Sequence, residues 1–297
     1  MATTLGIAAE PTEEFLDDLV TLLRGRRAVA LVGAGCSTES GIPDYRGPEG
    51  RLRTRKPMQY KEFVGSSVGR ARYWSRSAVG WPVFSSAKPN PAHHALAELE
   101  HGGALAGVIT QNVDGLHQAA GSREVVELHG SLARVRCLDC DATLRRVDFQ
   151  ASLVSMNGDW FDALQATGRT DVESAPDGDA DLHSGRLESF RVPGCAECDG
   201  VLKPDVVFFG ESVPKDLVDE AYSLIDRSEA LLVAGSSLTV FSGYRFVRHA
   251  AALGIPIAIV NRGGTRGDDL ATVQIDGGCS ELLVLLSEEL VPIAEYS

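Results

Sequence analysis

Four of the chain's six cysteines stand in two C-x-x-C pairs, Cys137-Leu-Asp-Cys140 and Cys195-Ala-Glu-Cys198. Four thiolates suit one tetrahedral zinc ion, because each x-x spacing lets a single knuckle turn present two sulfurs to the same metal. Two unconnected thiol pairs or redox motifs are the other reading. A shell of four cysteines leaves no coordination position for water or substrate, so a zinc held this way is structural. The gap between the pairs, residues 141–194, is longer than in an ordinary zinc ribbon and must loop out an insertion.

A second group begins at Leu31-Val-Gly-Ala-Gly-Cys36, where Gly33 and Gly35 let backbone amides approach a pyrophosphate as a helix starts. A plain strand-to-helix turn has the same pattern. The fingerprint of hydride-transferring dinucleotide enzymes needs a third glycine at position 38, and the chain has Thr38, which argues against a dehydrogenase. The loop continues through Thr38-Glu-Ser-Gly-Ile-Pro-Asp-Tyr-Arg46, with Asp44 suited to an amide and Arg46 to a phosphate.

Thr110-Gln-Asn-Val-Asp114 follows an apolar run, placing Gln111, Asn112 and Asp114 where ribose hydroxyls can be hydrogen-bonded. His129, in Glu127-Leu-His-Gly130, titrates near neutral pH and can accept a proton from a sugar hydroxyl. A satisfied turn histidine is the plainer reading, and it is the expectation for His93, His94, His101, His117, His183 and His249.

The elements that position these groups are legible as apolar runs. Ala28–Val32, Ala106–Thr110, Ala230–Ala234 and Ile255–Val260 read as buried parallel strands. Helix-like stretches lie between them, at Glu13 to Leu23, Pro91 to Leu99 and Asp216 to Ile225. Alternation of this kind predicts an α/β fold, a Rossmann-like doubly wound parallel sheet whose ligands sit at the carboxyl ends of the strands. It breaks between Gly47 and Ser86 and again between Arg134 and Gly200. The expected organisation is a Rossmann-like domain from 1–46, 87–133 and 201–297, a helical insertion over 47–86, and a smaller zinc-binding lobe over 134–200. The tract Asp171 to Asp181 is polar and rich in Pro and Gly, and reads as a loop with little to bury.

Composition limits the partners. With 297 residues, 44% of them hydrophobic, the chain can build one large core and a satellite. A formal charge of -13 repels a phosphate backbone, so direct nucleic-acid binding is not expected. No apolar run is long enough for a bilayer, and the acidic start, with Glu10, Glu13, Glu14, Asp17 and Asp18, is unlike a signal or transit peptide. A cytoplasmic location is the expectation. The sequence leaves the oligomeric state open, with a monomer as the working expectation.

Taken in order, Gly33 to Arg46, Gln111-Asn-Val-Asp114, His129-Gly130, the four cysteines, Lys203-Pro-Asp-Val-Val-Phe-Phe-Gly-Glu211 and Gly235-Ser-Ser-Leu238 resemble the sirtuins, NAD-dependent protein deacylases, over nearly the whole chain. Within them the chain is most similar to the class II branch that includes the mitochondrial lipoamidase-type sirtuin. That likeness runs through Ser40 to Tyr45, Arg72-Tyr-Trp74, Gly80-Trp-Pro82, Pro89 to His93 and Ser242-Gly-Tyr-Arg-Phe246.

The resemblance implies that NAD is a co-substrate, that one Zn²⁺ is structural, and that acylated proteins or peptides are substrates, with acyl groups longer than acetyl preferred. It implies that the acyl-lysine oxygen attacks C1′ of the nicotinamide ribose, after which His129 acts as general base on a ribose hydroxyl. By motif, Ser37, Ile42, Asp44 and Asn112 surround the nicotinamide, with Tyr45 over it in place of the more usual Phe. Ala34 and Arg46 lie near ribose and phosphates, beside the Gly33, Gly35, Gln111 and Asp114 already read as cofactor-binding. Gly235, Ser236, Ser237, Asn261 and Cys279 hold the adenosine half, and Arg262 and Gly263 are further cofactor-binding candidates. Val207, Phe208, Phe209 and Gly210 resemble the segment on which a substrate peptide is clamped as an added strand; a merely structural strand is the alternative.

One departure limits this: desuccinylating relatives carry a Tyr and an Arg two residues apart, and here Arg51 stands where the Tyr belongs, in Gly50-Arg-Leu-Arg53. A succinyl or malonyl preference is therefore not implied, although Arg51, Arg53 and Arg55 offer another route to an acidic chain. Mono-ADP-ribosyl transfer and a non-catalytic NAD-sensing module are the alternative functions.

Overall fold

The computed structural model describes residues 13–44, 57–166 and 189–291. Tyr45, Arg46, Arg51, Arg53, Arg55, His183 and the tract 171–181 lie outside the described residues.

Six parallel strands form the central sheet: β1 (Ala28–Val32), β2 (Leu105–Thr110), β3 (Val125–Glu127), β7 (Ala230–Ala234), β8 (Ile257–Asn261) and β9 (Val273–Asp276), in the order β3-β2-β1-β7-β8-β9. β1, β2, β7 and β8 are buried at every position, which is why they read as unbroken apolar runs rather than as an alternation. The sheet grows one way from β1 through β2 and the other way through β7, so a crevice opens between the carboxyl ends of β1 and β7.

Both faces are covered. On one, α1 (Glu13–Leu23), α4 (Pro91–His101) and α10 (Cys279–Leu290) pack Leu19, Leu96 and Leu282 against Ala30, Val108 and Leu232. On the other, α8 (Lys215–Asp226) and α9 (Phe241–Leu253) pack Leu224, Phe246 and Val247 against Val29, Leu31 and Val233.

A second core lies beside the sheet. Strands β4 (Gly130–Cys137), β5 (Thr143–Arg145) and β6 (Leu202–Val206) form an antiparallel sheet in the order β5-β4-β6. α2 (Tyr60–Gly65), α3 (Ser67–Ser86), α6 (Arg146–Met156) and α7 (Gly158–Gln165) pack on it around Phe63, Tyr73, Trp74, Phe149 and Phe208. The Trp74 indole N–H donates to the Leu202 carbonyl at 3.1 Å, tying α3 to β6. The last helix, α5 (Leu116–Ala120), is a short turn after β2.

Several sequence expectations shift. β8 begins two residues later than expected, at Ile257, and extends to Asn261. β3 and β9, three and four residues long, were invisible because edge strands this short carry no apolar run. α3 is a helix of 20 residues whose buried members include Gly69, Ala71, Trp74, Ser75, Ser77, Ala78 and Gly80. It lies in the stretch 47–86 expected to be helical, and its bounds were not readable because small and polar residues in a buried face leave no apolar stripe. Among the described residues no helix is long and apolar enough to cross a membrane.

Candidate functional site

A cleft of about 600 Å³ opens at the carboxyl ends of β1, β2 and β7. Its floor is the crossing of two glycine turns. Gly33 N donates to the Ala234 carbonyl at 3.0 Å and Gly35 N to the Gly235 carbonyl at 2.9 Å. A Cβ on Gly33 would stand 2.7 Å from the Gly235 oxygen and 2.7 Å from Ser236 Cβ, so only glycine lets the turns touch. Gly235 has φ +61°, and a Cβ there would meet Cys36 N at 2.4 Å. The expected helix after Gly33 is a seven-residue 3-10 helix, Ala34–Ser40, closed by Gly41 at φ 82°.

One hydrogen-bonded cluster ties this loop to the residues after β2. Asn112 Nδ2 donates to the Gly33 carbonyl at 3.1 Å and to Ser37 Oγ at 3.0 Å, and Ser37 Oγ donates to Asp114 Oδ2 at 2.8 Å. Leu116 N donates to Asp114 Oδ1 at 2.9 Å. Burial raises the Asp114 pKa, and the bonds from Leu116 and Ser37 partly offset that. Gln111 Nε2 donates to Ser236 Oγ at 2.9 Å, bridging the ends of β2 and β7.

His129 ends the turn between β3 and β4. Its Nδ1 lies 2.8 Å from the Gln111 carbonyl, which can only accept, so the proton sits on Nδ1. Nε2 is left with its lone pair facing Ser242 Oγ at 2.9 Å. Burial lowers the pKa of His129, the Gln111 bond raises it in part, and the charge of Arg245 lowers it further. The result is a neutral imidazole in the cleft wall, the state a general base needs.

Behind the loop, α4 begins with a capping box in which Asn90 Oδ1 accepts from Ala92 N and His93 N, while Asn90 Nδ2 donates to the Cys36 carbonyl. His93 Nε2 reaches Ser37 Oγ at 3.4 Å. The expectation of a satisfied turn histidine fails for His117: it is 1% exposed, neither ring nitrogen has a partner, and its ring lies 4.8 Å from that of His93. Burial pushes His93 down to about 4 and His117 to about 3.

The substrate-segment residues 207–210 follow β6 directly. Val207 N donates to the His129 carbonyl at 2.9 Å. Glu211 folds back to accept from Phe208 N at 2.8 Å and pairs with buried Lys203 at 3.0 Å. The segment is not a regular strand: its one ladder partner among the described residues is Gln59, opposite Phe209.

Most of the residues read from the sequence border the same cleft, including Ala34, Ile42, Asp44, Ser237, Asn261 and Arg262. Two do not. Cys279 is buried beneath Gly235, with Sγ 3.1 Å from where a Gly235 Cβ would be. Gly263 N is spent on Asp276 Oδ1, and its carbonyl accepts from Asn261 Nδ2, so it shapes the turn after β8. The sequence reading missed Met58, Val113, Val213, Val240, Ser242 and Arg245, which also line the cleft. Ser242 and Arg245 stood inside a motif already noted; only the fold shows that the first turn of α9 faces His129.

The cysteine tetrad is assembled as expected. Cys137, Cys140, Cys195 and Cys198 place their sulfurs within 4.8 Å of one another, with Cys137 to Cys198 at 3.5 Å and Cys140 to Cys195 at 3.7 Å. Sulfurs at Zn–S bond length on a tetrahedron are about 3.8 Å apart, so the four residues fit a structural zinc ion. Two unconnected pairs would not share one centre.

Fold and site together define a doubly wound α/β protein with a dinucleotide cleft and a zinc-binding lobe. The Sir2 family model matches residues 33–242, and the chain belongs to the Sir2 family, the sirtuins. It is 56% identical to NAD-dependent protein deacetylase 1 of Mycobacterium avium over 99% of this chain and 100% of that one. The NAD-dependent protein deacetylase of Xanthomonas campestris is 49% identical over 91% of this chain and 90% of its own. Among solved structures, a Sir2 complex with a p53 peptide and NAD⁺ superposes with TM-score 0.70 at 33% identity, covering 94% of this chain and 98% of that one. A Sir2 enzyme bound to a propionylated peptide gives TM-score 0.70 at 31% identity, over 92% and 98%.

Proposed function

We propose that the chain is an NAD-dependent protein-lysine deacetylase. The observation that carries this reading is the proton-free Nε2 of His129 in the wall of a cleft whose floor is the Gly33 and Gly235 crossing. NAD, when bound, supplies a sugar carbon that the acyl-lysine oxygen attacks as nicotinamide leaves; water completes the conversion to free lysine and acyl-ADP-ribose.

The chain's own residues do the rest. The glycine turns at the crossing let a pyrophosphate approach the backbone closely, because no side chain stands above Gly33, Gly35 or Gly235. Asn112, locked by Gly33 and Ser37, orients the ribose and nicotinamide end. A carbon gaining positive charge is stabilised by fixed polar groups in a site that excludes water, and the Asn112-Ser37-Asp114 cluster is fixed before any ligand arrives. His129 takes the proton from a sugar hydroxyl. The relatives named as deacetylases, and the neighbour solved with a propionylated peptide, support acyl-lysine as the substrate.

The finer reading is a preference for acyl groups longer than acetyl. Met58, Val113, Val206 and Phe208 give the cleft an apolar lining, and the class II motifs Ser40 to Tyr45 and Ser242 to Phe246 agree with it. No specific feature of the cleft favours mono-ADP-ribosyl transfer or a purely NAD-sensing module.

The test is a panel of acyl-lysine peptides, acetyl through long and branched chains, assayed with NAD for nicotinamide and freed lysine. Release with acetyl and higher kcat/KM with longer chains is expected. Failure of every peptide to release nicotinamide would sink the reading, and a panel in which acetyl is best would sink the finer one.

A further inference from the structure

His129 has both ring nitrogens engaged before any ligand binds. Gln111 accepts from Nδ1, and Ser242 holds Nε2 at 2.9 Å. Since Nε2 carries no proton, the Ser242 hydroxyl must donate to it. A proton leaving a sugar hydroxyl in the cleft therefore meets Ser242 in front of the lone pair that is to receive it.

The first turn of α9 is built around that contact. Ser242 is the second residue of α9, whose N-cap position is Val240 and carries no side-chain cap, and the Ser242 hydroxyl is directed at the histidine. Gly243 brings the turn against the other clamp of the same ring: a Cβ there would lie 2.7 Å from Gln111 Oε1. Gln111 is thus fixed between Ser236 and the α9 turn while its carbonyl holds His129. Arg245 extends from the same turn over the Phe241 ring at 5.4 Å, with its Nε buried and unpartnered, and its charge opposes early protonation of the imidazole.

We propose that Ser242 is a proton relay between the sugar hydroxyl and His129. Ser242 Oγ accepts the sugar proton while its own proton passes to Nε2. The sugar O–H and the original serine O–H break, a new serine O–H and an Nε2–H form, and the electron pair left on the sugar oxygen goes to the acyl carbon. The serine ends neutral and the ring ends as imidazolium, so no outside oxidant or base is required.

This inference rests on the deacetylase reading, and its test separates the two. Ser242→Ala and Gly243→Ala are compared with the unaltered chain for steady-state turnover, for exchange of labelled nicotinamide into NAD, and for the imidazole nitrogen resonances of His129 without ligands. Exchange reports sugar-bond breakage, which precedes the relay. Ser242→Ala is expected to lower kcat about tenfold or more with little change in either KM, to leave exchange intact, and to move the Nε2 resonance toward that of a free lone pair. Gly243→Ala, which pushes the turn off Gln111, is expected to show the same pattern, and Ser242→Thr to recover most of the loss. Unchanged kcat in Ser242→Ala, or exchange falling in step with kcat, overturns the relay while the deacetylase reading stands. An unaltered chain with no turnover overturns both.

Discussion

Asn112 Nδ2 donates to Ser37 Oγ at 3.0 Å, joining the loop after β2 to the loop after β1 across the crevice of the sheet. Asn112 is 9% exposed and Ser37 1%, so the bond is made largely out of water, and Ser37 passes it on to Asp114 at 2.8 Å. The floor of the cleft is therefore rigid without a ligand.

Replacing Asn112 with Ala leaves the Gly33 carbonyl and Ser37 short of a donor in a buried place. Stability should fall by about 1–3 kcal/mol, read by denaturant unfolding. kcat/KM should fall about a hundredfold or more. Near-normal turnover in this variant would show that the cluster does not organise the reacting groups.

Two buried histidines make the fold acid-labile. His93, pushed down to about 4, and His117, pushed down to about 3, stay neutral when folded but take up a proton near 6.5 when unfolded. The unfolded state binds more protons between those values, so these groups cost nothing above about pH 6.5 and lower stability as pH falls below it, each by up to about 1.4 kcal/mol per pH unit. Unfolding free energies measured from pH 8 to 4.5 should be flat and then fall. His117→Phe should shallow the fall, and an unchanged slope would refute the assignment.

The lowered pKa of His129 has its own sign. A base must be neutral, so the acid limb of kcat/KM should lie below the usual histidine value of about 6.5. Arg245→Gln removes one depressing charge and should move that limb upward. A limb that stays put would mean that another group sets it.

Zinc removal should act through the peptide segment. Cys137 ends β4, which pairs with β6, and β6 leads directly into Val207. Chelation should release one zinc per chain, lower Tm, and raise the KM for peptide before NAD binding is lost. Loss of zinc with an unchanged melting curve would show that the metal does not hold the lobe.

Gly33→Ala should force the two glycine turns apart, because its Cβ meets Gly235 O and Ser236 Cβ at 2.7 Å. Calorimetry should show weaker NAD binding, while zinc content stays at one ion per chain. Unchanged NAD affinity would remove the crossing from the cofactor site.

Much of this was legible because its chemistry is local in sequence. Gly33 and Gly35, Gln111 to Asp114 and the C-x-x-C pairs each carry their meaning in a few adjacent residues, and apolar runs such as Ala28 to Val32 disclose central strands directly. What stayed hidden depends on contacts between distant segments. Ser242 meets His129 only because α9 packs beside the turn before β4, and His117 looks ordinary until the fold buries it against His93. Only a helical insertion over 47–86, not the bounds of α3 within it, was readable, because a helix buried on several sides loses its stripe.

His129→Ala separates binding of NAD from its turnover. Purified chain is incubated with NAD and an acetyl-lysine peptide, with nicotinamide, freed lysine and acyl-ADP-ribose quantified and NAD affinity determined separately. The unaltered chain should give the three products in equal amounts, and the variant should bind NAD within about twofold of normal with turnover reduced about a hundredfold or more. Equal turnover by the two proteins, or loss of NAD binding together with turnover, would contradict His129 as the general base.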